Sequence, residues 1–282
     1  MQHLCGLLRR CIDDYEMIAP GDKIAVGISG GKDSLALLVL LAELRKYYPK
    51  PFSLEAMTVD MGLHMDFSAV EELCHRLHVP YTIMKTDIGP LIFDIRQEKN
   101  PCSMCAKMRR GALHNAMAER GITKIALGHH YDDAVETFLL SLFYEGRISC
   151  FQPVTYLSRM GVTQIRPMLY VGEKAVANFA GRYHLPVVEN RCPADKSTKR
   201  QEVKELLLTL QGQYPDLKTK LFGAMQRLPL PEWAPVRPVP GRKPVNGGKK
   251  GSPVKGSLFM PFLSPESPGQ GASWPFSALQ NL

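Results

Sequence analysis

The chain has 282 residues and a net charge of +8, long enough for one α/β domain with a sizeable core. No apolar run reaches membrane-spanning length, and residues 1–10 lack the apolar segment and cleavage site of a secretory leader, so a cytoplasmic protein with no membrane partner is expected. Seven cysteines in such a compartment point away from a disulfide framework and toward metal or catalytic use of a subset.

Residues 23–28 are a β-rich apolar run that reads as a buried strand, and residues 35–44 read as a helix. Between them lies Ser29-Gly30-Gly31-Lys32-Asp33-Ser34. A strand feeding a glycine turn and then a helix aims unpaired N–H groups and the positive end of the helix dipole at one point, which is an anion site. Ser29, Lys32 and Ser34 add two hydroxyls and an ammonium for phosphate oxygens. The loop is not a Walker A motif, because Val26 and Asp33 stand where that spacing needs Gly and Ser or Thr. It also lacks the G-x-G-x-x-G of a dinucleotide fold.

Strand and helix signals then alternate: strand 52–60, helix 66–77 with Asp66 at its N-cap, strand 81–86, helix 103–120 ended by Gly121, strand 124–128 and helix 132–144. Residues 147–171 are less regular and suggest a hairpin turning near Arg159-Met160-Gly161. A helix is expected over 173–184, a short last strand at Val187-Val188, and two helices over 197–228 broken near 212–215. This rhythm predicts a mostly parallel twisted sheet with helices on both faces. Ligands in such folds sit at the carboxyl ends of strands, where the three most polar clusters fall: Ser29–Ser34, Asp60–His64 and Gly128–Asp133.

Residues 229–282 carry 11 of the 22 prolines and 7 of the 23 glycines, with six Lys/Arg against Glu232 and Glu266. They read as a disordered basic tail, leaving residues 1–228 as the globular domain, with 29 Lys/Arg against 25 Asp/Glu. An excess of positive charge suits an acidic partner such as RNA without establishing one.

Two further constellations carry chemistry. Cys102-Ser-Met-Cys105 fits half a zinc site, a redox pair or half an iron–sulfur site, and Cys192 is the remaining candidate to join it. Three thiolates would leave one iron of a cubane cluster without a protein ligand. Cys74 lies on the apolar pattern of its helix and reads as core. Gly128-His129-His130-Tyr131-Asp132-Asp133 follows a strand and opens a helix. It reads as a capped helix start, with Asp132 or Asp133 at the N-cap and Glu136 in the first turn. It also reads as a Mg²⁺ and proton-handling cluster facing polyphosphate, with Asp33, Asp132 and Asp133 all eligible to hold the ion. Arg109-Arg110 is either a solvated basic face or a contact for an α-phosphate or an RNA backbone, and Lys196, Lys199 and Arg200 admit the same two readings.

The loop resembles the S-G-G-x-D-S motif of PP-loop ATP pyrophosphatases. With C-S-M-C-A-K-M-R-R-G, L-G-H-H-x-D-D-x-x-E-T and N-R-C-P in the same order, the chain from about Ile24 to Glu205 resembles the tRNA 2-thiocytidine synthetase family of cluster-dependent tRNA thiolases. The resemblance implies a PP-loop fold and ATP-dependent adenylation of the C2 oxygen of an anticodon-loop cytidine, position 32 of the tRNA. Sulfur from a cysteine desulfurase or another sulfide donor then displaces AMP through a [4Fe-4S] cluster. It assigns ATP binding to Ser29, Gly30, Gly31, Lys32, Asp33, Ser34, Asp60, Gly128 and His129. The cluster falls to Cys102, Cys105 and Cys192, and catalysis to Lys32, Arg109, Asp132 and Asp133. It is compatible with a homodimer. The motifs alone leave open a PP-loop enzyme thiolating another tRNA base or a small molecule. They also leave open a non-enzymatic iron–sulfur or RNA-binding protein with a vestigial loop.

Overall fold

The computed structural model describes residues 1–96, 101–193 and 199–227. The expected tail, Lys196 and the start of the first C-terminal helix at residue 197 lie outside the described residues.

In chain order the elements are α1 (Gln2–Asp14), β1 (Lys23–Gly27), α2 (Lys32–Leu44), β2 (Ser53–Asp60), α3 (Ser68–Arg76), β3 (Tyr81–Lys85), and α4 (Ile88–Pro90) running into a π turn, Leu91–Ile95. Then come α5 (Pro101–Glu119), β4 (Lys124–Ala126), α6 (Tyr131–Glu145), β5 (Val154–Leu157), β6 (Val162–Ile165), α7 (Glu173–Arg182), α8 (Lys199–Gln213) and α9 (Leu217–Arg227). The strands form one sheet in the order β3-β2-β1-β4-β6-β5. All neighbours are parallel except β5, the antiparallel edge of the expected hairpin. Val26 of β1 stands opposite Ala56 of β2 on one side and Ala126 of β4 on the other. The chain therefore steps from β1 toward β3 in one direction and toward β6 in the other. The ends of β1 and β4 form the switch point where such sheets open a crevice.

Alternation along the strands feeds two cores. Ile24 and Val26 face the larger one, made with α1, α2, α6 and α7, whereas Ala25 faces Met57, Ile125, and Ala116 and Met117 of α5. Helices thus cover both faces. Helix α2 is apolar all round because it lies in the interior, with Leu35, Leu37, Leu38, Leu40 and Leu41 all at 0% exposure. Each such leucine contributes about 1.5–3 kcal/mol on burial.

Four features differ from expectation, the first being α4 and the π turn after it, which the sequence did not suggest. Helix α1 was not anticipated, although Leu4, Leu8, Cys11 and Ile12 form a buried stripe at helical spacing. Val187-Val188 forms no strand; the Val188 amide instead bonds the loop after β1. Helix α3 begins at Ser68, and Asp66 accepts the Ser68 N–H at 2.9 Å from just outside it. The expected turns at Gly121 and Gly161 both adopt left-handed backbone, φ 65° and 64°.

Candidate active site

A cavity of about 300 Å³ opens at the switch point. Its floor is the ends of β1, β2 and β4, one wall is the start of α2, and its cover is α5 through Arg109, Arg110 and His114. Ser29, Asp33, Ser34, Gly128, His129 and Asp133 also line it.

The loop between β1 and α2 is held by its own hydroxyls. Ser34 Oγ donates to the Gly31 carbonyl at 2.9 Å and accepts the Ser29 N–H at 3.2 Å, while Ser29 Oγ accepts the Gly31 N–H at 3.3 Å. The serines thus brace the turn as well as line the cavity. Gly31 is the N-cap of α2, so the first-turn amides and the dipole end meet the cavity. Two glycines are sterically required. Gly30 has φ 85°, and a Cβ there would lie 2.9 Å from Val188 Cβ. A Cβ at Gly128 would meet the Ser34 amide nitrogen at 3.0 Å, so glycine lets the β4–α6 turn approach the loop.

Helix α6 is capped by His130, not by Asp132 or Asp133. His130 Nδ1 accepts the Asp133 N–H at 3.3 Å, and Asp133 Oδ2 accepts the His130 N–H at 2.9 Å. An accepting Nδ1 puts the proton of the neutral ring on Nε2, which lies 3.8 Å from Asp33 Oδ1. Asp132 departs from its expected place at the phosphates. Its Oδ2 accepts the Glu173 N–H at the start of α7 at 2.6 Å, its Oδ1 takes Lys218 of α9 at 2.6 Å, and it does not line the cavity. Burial alone would push its pKa up, but the Glu173 amide and Lys218 together hold it below the ordinary value. Arg200 resolves as a structural cation, bonded to Glu136 at 3.1 Å and to Thr137 at 3.1 Å, with Asp133 at 3.5 Å. Asp60 ends β2 and accepts the Gly62 N–H at 3.0 Å; it too lies off the cavity lining.

Among the described residues four buried side-chain polar atoms lack a hydrogen-bond partner: Asp33 Oδ1, Arg109 Nε, His129 Nδ1 and Arg166 Nε. The first three belong to cavity residues. Each costs about 1–3 kcal/mol if left unpaired, so three such atoms on residues of one cavity are what a polar ligand would complete. Burial, then the charges of Arg166 and Arg200, hold the His129 imidazole far below its ordinary pKa, so it is neutral near pH 7. His114, buried in the cover of the cavity, has its pKa lowered by burial and by Arg110. Arg166, fully buried, bonds Gln152 O at 2.6 Å and Gln164 Oε1 at 3.2 Å, and Gln164 reaches the cavity.

All seven cysteines are free thiols. Cys5, Cys11 and Cys74 are buried, and Cys150 bonds the Ala134 carbonyl at 3.4 Å. Cys102 and Cys105 stand one turn apart at the start of α5. Burial raises the Cys105 pKa, the Arg109 guanidinium opposes it by charge and by a hydrogen bond, and the charges of Cys192 and Cys102 add to the rise. No group of three or more His, Cys, Asp or Glu among the described residues is closed to metal-holding geometry. Free thiols beside a guanidinium are still a fitting donor set for an iron–sulfur cluster, since a cation favours the thiolate. For Mg²⁺ the fitting donor is Asp33 Oδ1, a buried carboxylate oxygen with no hydrogen-bond partner, with Asp133 beside the same cavity.

Sequence reasoning missed Glu173, Lys204, Lys218, His114 and Gln164. An acidic residue opening a helix after Gly172 was a signal for Glu173. The two lysines have none, because their partners are remote in sequence.

The family model of the PP-loop domain matches residues 8–210. The tRNA-cytidine(32) 2-sulfurtransferase of Pelobacter propionicus is 36% identical over 232 residues, covering 81% of this chain and 85% of that protein. The Dichelobacter nodosus enzyme of the same name is 37% identical over 231 residues, covering 79% and 86%. Among solved structures, the U34-tRNA thiolase NcsA from Methanococcus maripaludis, with its [4Fe-4S] cluster, matches with a TM-score of 0.63 and 26% identity over 77% of this chain and 75% of that one.

Proposed function

The chain belongs to the PP-loop family and is an ATP-dependent tRNA-cytidine 2-sulfurtransferase of that family, and from this premise we propose how its own residues divide the reaction. The substrate is cytidine 32 of a tRNA anticodon loop, as the names of the relatives indicate. A pyrimidine C2 oxygen is a poor leaving group. Its attack on the α-phosphorus of ATP forms the O2–P bond, breaks the bond to the bridging oxygen and releases pyrophosphate. Sulfide then adds at C2, the C2–O bond breaks, and AMP leaves with the original oxygen.

The α2 N-terminus and Lys32 take the β- and γ-phosphates and offset the charge that grows on departing pyrophosphate. Asp33 and Asp133 would hold a Mg²⁺ ion, which would supply positive charge to the phosphates. Neutral His129 offers the cavity a hydrogen bond without adding charge. Cys102, Cys105 and Cys192 would hold a [4Fe-4S] cluster, and with only three protein thiolates it would supply an open iron for the sulfur donor.

Arg109 carries this reading. It lines the cavity with an unpaired Nε, and its guanidinium charge acts on the Cys105 thiol to favour the thiolate. One side chain thus serves the nucleotide cavity and acts electrostatically on the cysteine pair, as a two-stage reaction on one base requires. The test is reconstitution of the cluster without oxygen, followed by incubation with tRNA, ATP, Mg²⁺ and sulfide. Mass spectrometry should find 2-thiocytidine, with AMP and pyrophosphate formed in proportion. Thiolation of uridine instead, or of a small molecule, would replace cytidine as the substrate. Pyrophosphate release without any thiolated base would remove the cysteines from the mechanism.

A further inference from the structure

The Lys32 ammonium lies 3.2 Å from Asp33 Oδ2 and 3.6 Å from Glu173 Oε1. Glu173 is the first residue of α7, and it is fixed from several directions. Lys204 of α8 grips its carboxylate at 2.7 and 2.9 Å. Its amide donates to Asp132 Oδ2, and the other oxygen of Asp132 is tied to Lys218 of α9. Three later helices thus hold one carboxylate beside the lysine of the ATP loop.

Resting on the ATP reading above, we propose that Glu173 is a positioning residue that clasps Lys32, competes with polyphosphate for its ammonium and thereby limits how tightly ATP and pyrophosphate are held. The pair is partly exposed, 33% and 27% at the side chains. Such a partly exposed pair is weak, which aligns Lys32 without trapping it. A polyphosphate carries several charges and wins the ammonium on arrival. As pyrophosphate leaves, Glu173 gives the ammonium somewhere to return, and product release is eased. Lys204 moderates the clasp by drawing off part of the Glu173 charge.

The rival account is structural: Glu173 complements the α7 dipole and pins α7 to α8. It predicts that removing the charge loosens the site or leaves it unchanged. The clasp predicts the opposite sign. Calorimetric titration of the full chain with α,β-methylene-ATP, and separately with inorganic pyrophosphate, both with Mg²⁺, decides between them. E173Q should bind both probes ~2- to 5-fold more tightly, and K204M should bind them more weakly by a similar factor. In K32A, titrated to saturation, adding E173Q should change nothing, because the clasped group is gone. Unchanged or weaker binding by E173Q overturns the proposal. Equal tightening in both backgrounds also overturns it, since simple repulsion of phosphate would then suffice. If the wild-type chain binds neither probe, the ATP reading itself falls and the clasp with it.

Discussion

The Val188 amide donates to the Gly30 carbonyl at 2.9 Å, joining the segment that leads to Cys192 to the turn of the ATP loop. Gly30 is left-handed at φ 85°, and its missing side chain leaves the room that Val188 fills. Gly30→Ala must therefore strain the backbone and push Val188 away. The expected cost is about 1–3 kcal/mol of stability, with at least a ~10-fold loss of ATP affinity. Val188→Gly, which removes the clashing Cβ and keeps the amide, should restore part of the affinity in the double variant. Titration with α,β-methylene-ATP checks both, and a G30A variant that binds like wild type would show that the turn has slack.

Lys32→Ala removes the ammonium that meets departing pyrophosphate. Release of AMP and pyrophosphate with tRNA present should fall by ~10²-fold, with iron content unchanged. Unchanged product formation would remove Lys32 from the chemistry.

Asp132 is expected to govern stability rather than catalysis. The folded carboxyls of Asp132 and Glu173 both lie below their ordinary values; burial opposes this, but Asp132 is held down by the Glu173 amide and Lys218, and Glu173 by Lys204 and then Lys32. Groups shifted in this direction stabilise fully above their unfolded pKa, and the contribution fades as pH falls through the carboxylate range. Asp132→Asn should cost about 3 kcal/mol at pH 7, because it leaves Lys218 unpaired and weakens the α7 cap. Its melting temperature should then fall less steeply than that of wild type between pH 5 and pH 3, since one titrating tie is gone (roughly the window of carboxylate titration). Parallel melting curves against pH would place the acid sensitivity elsewhere.

The parts of the site that were legible are those made by neighbours in sequence. The run from β1 through Ser29-Gly30-Gly31 into α2 lies within about twenty residues, so strand, turn and helix signals reinforce one another. The parallel order followed from the alternation of elements. What stayed hidden depends on distant partners: Asp132 reads as a metal ligand until Lys218 of α9 and the first amide of α7 are seen to occupy its oxygens. The α6 cap fell to His130 for a similar reason, since propensity favours Asp there and only the approach of Asp33 on α2 gives the imidazole a second role. Val187-Val188 has strand composition, yet its backbone is spent on Gly30.

The cysteines give the most discriminating outcome. Cys102, Cys105 and Cys192 are the candidate ligands; Cys102 is exposed, whereas Cys105 packs against the cluster of Val59, Met61, Ile88 and Ile92 and answers first to burial and then to Arg109 and the charges of the other two. Ser in place of any one should abolish iron binding and thiolation, because a hydroxyl stays protonated where a thiolate is needed. ATP binding should persist within about twofold, since the loop is braced by Ser29, Ser34 and the Val188 amide, none of which the substitutions alter. Cys150→Ser is the matched control: its sulfur bonds the Ala134 carbonyl, a contact that serine can also make, so iron content should match wild type. Iron analysis after anaerobic reconstitution, together with titration by α,β-methylene-ATP, reads both sides. Full iron content in the Cys192 variant would exclude it as a ligand and restore a two-cysteine account, zinc or a redox pair, for Cys102 and Cys105. Loss of ATP binding in all three variants would mean that the loop is ordered by the cluster, and the two sites would then have to be treated as one.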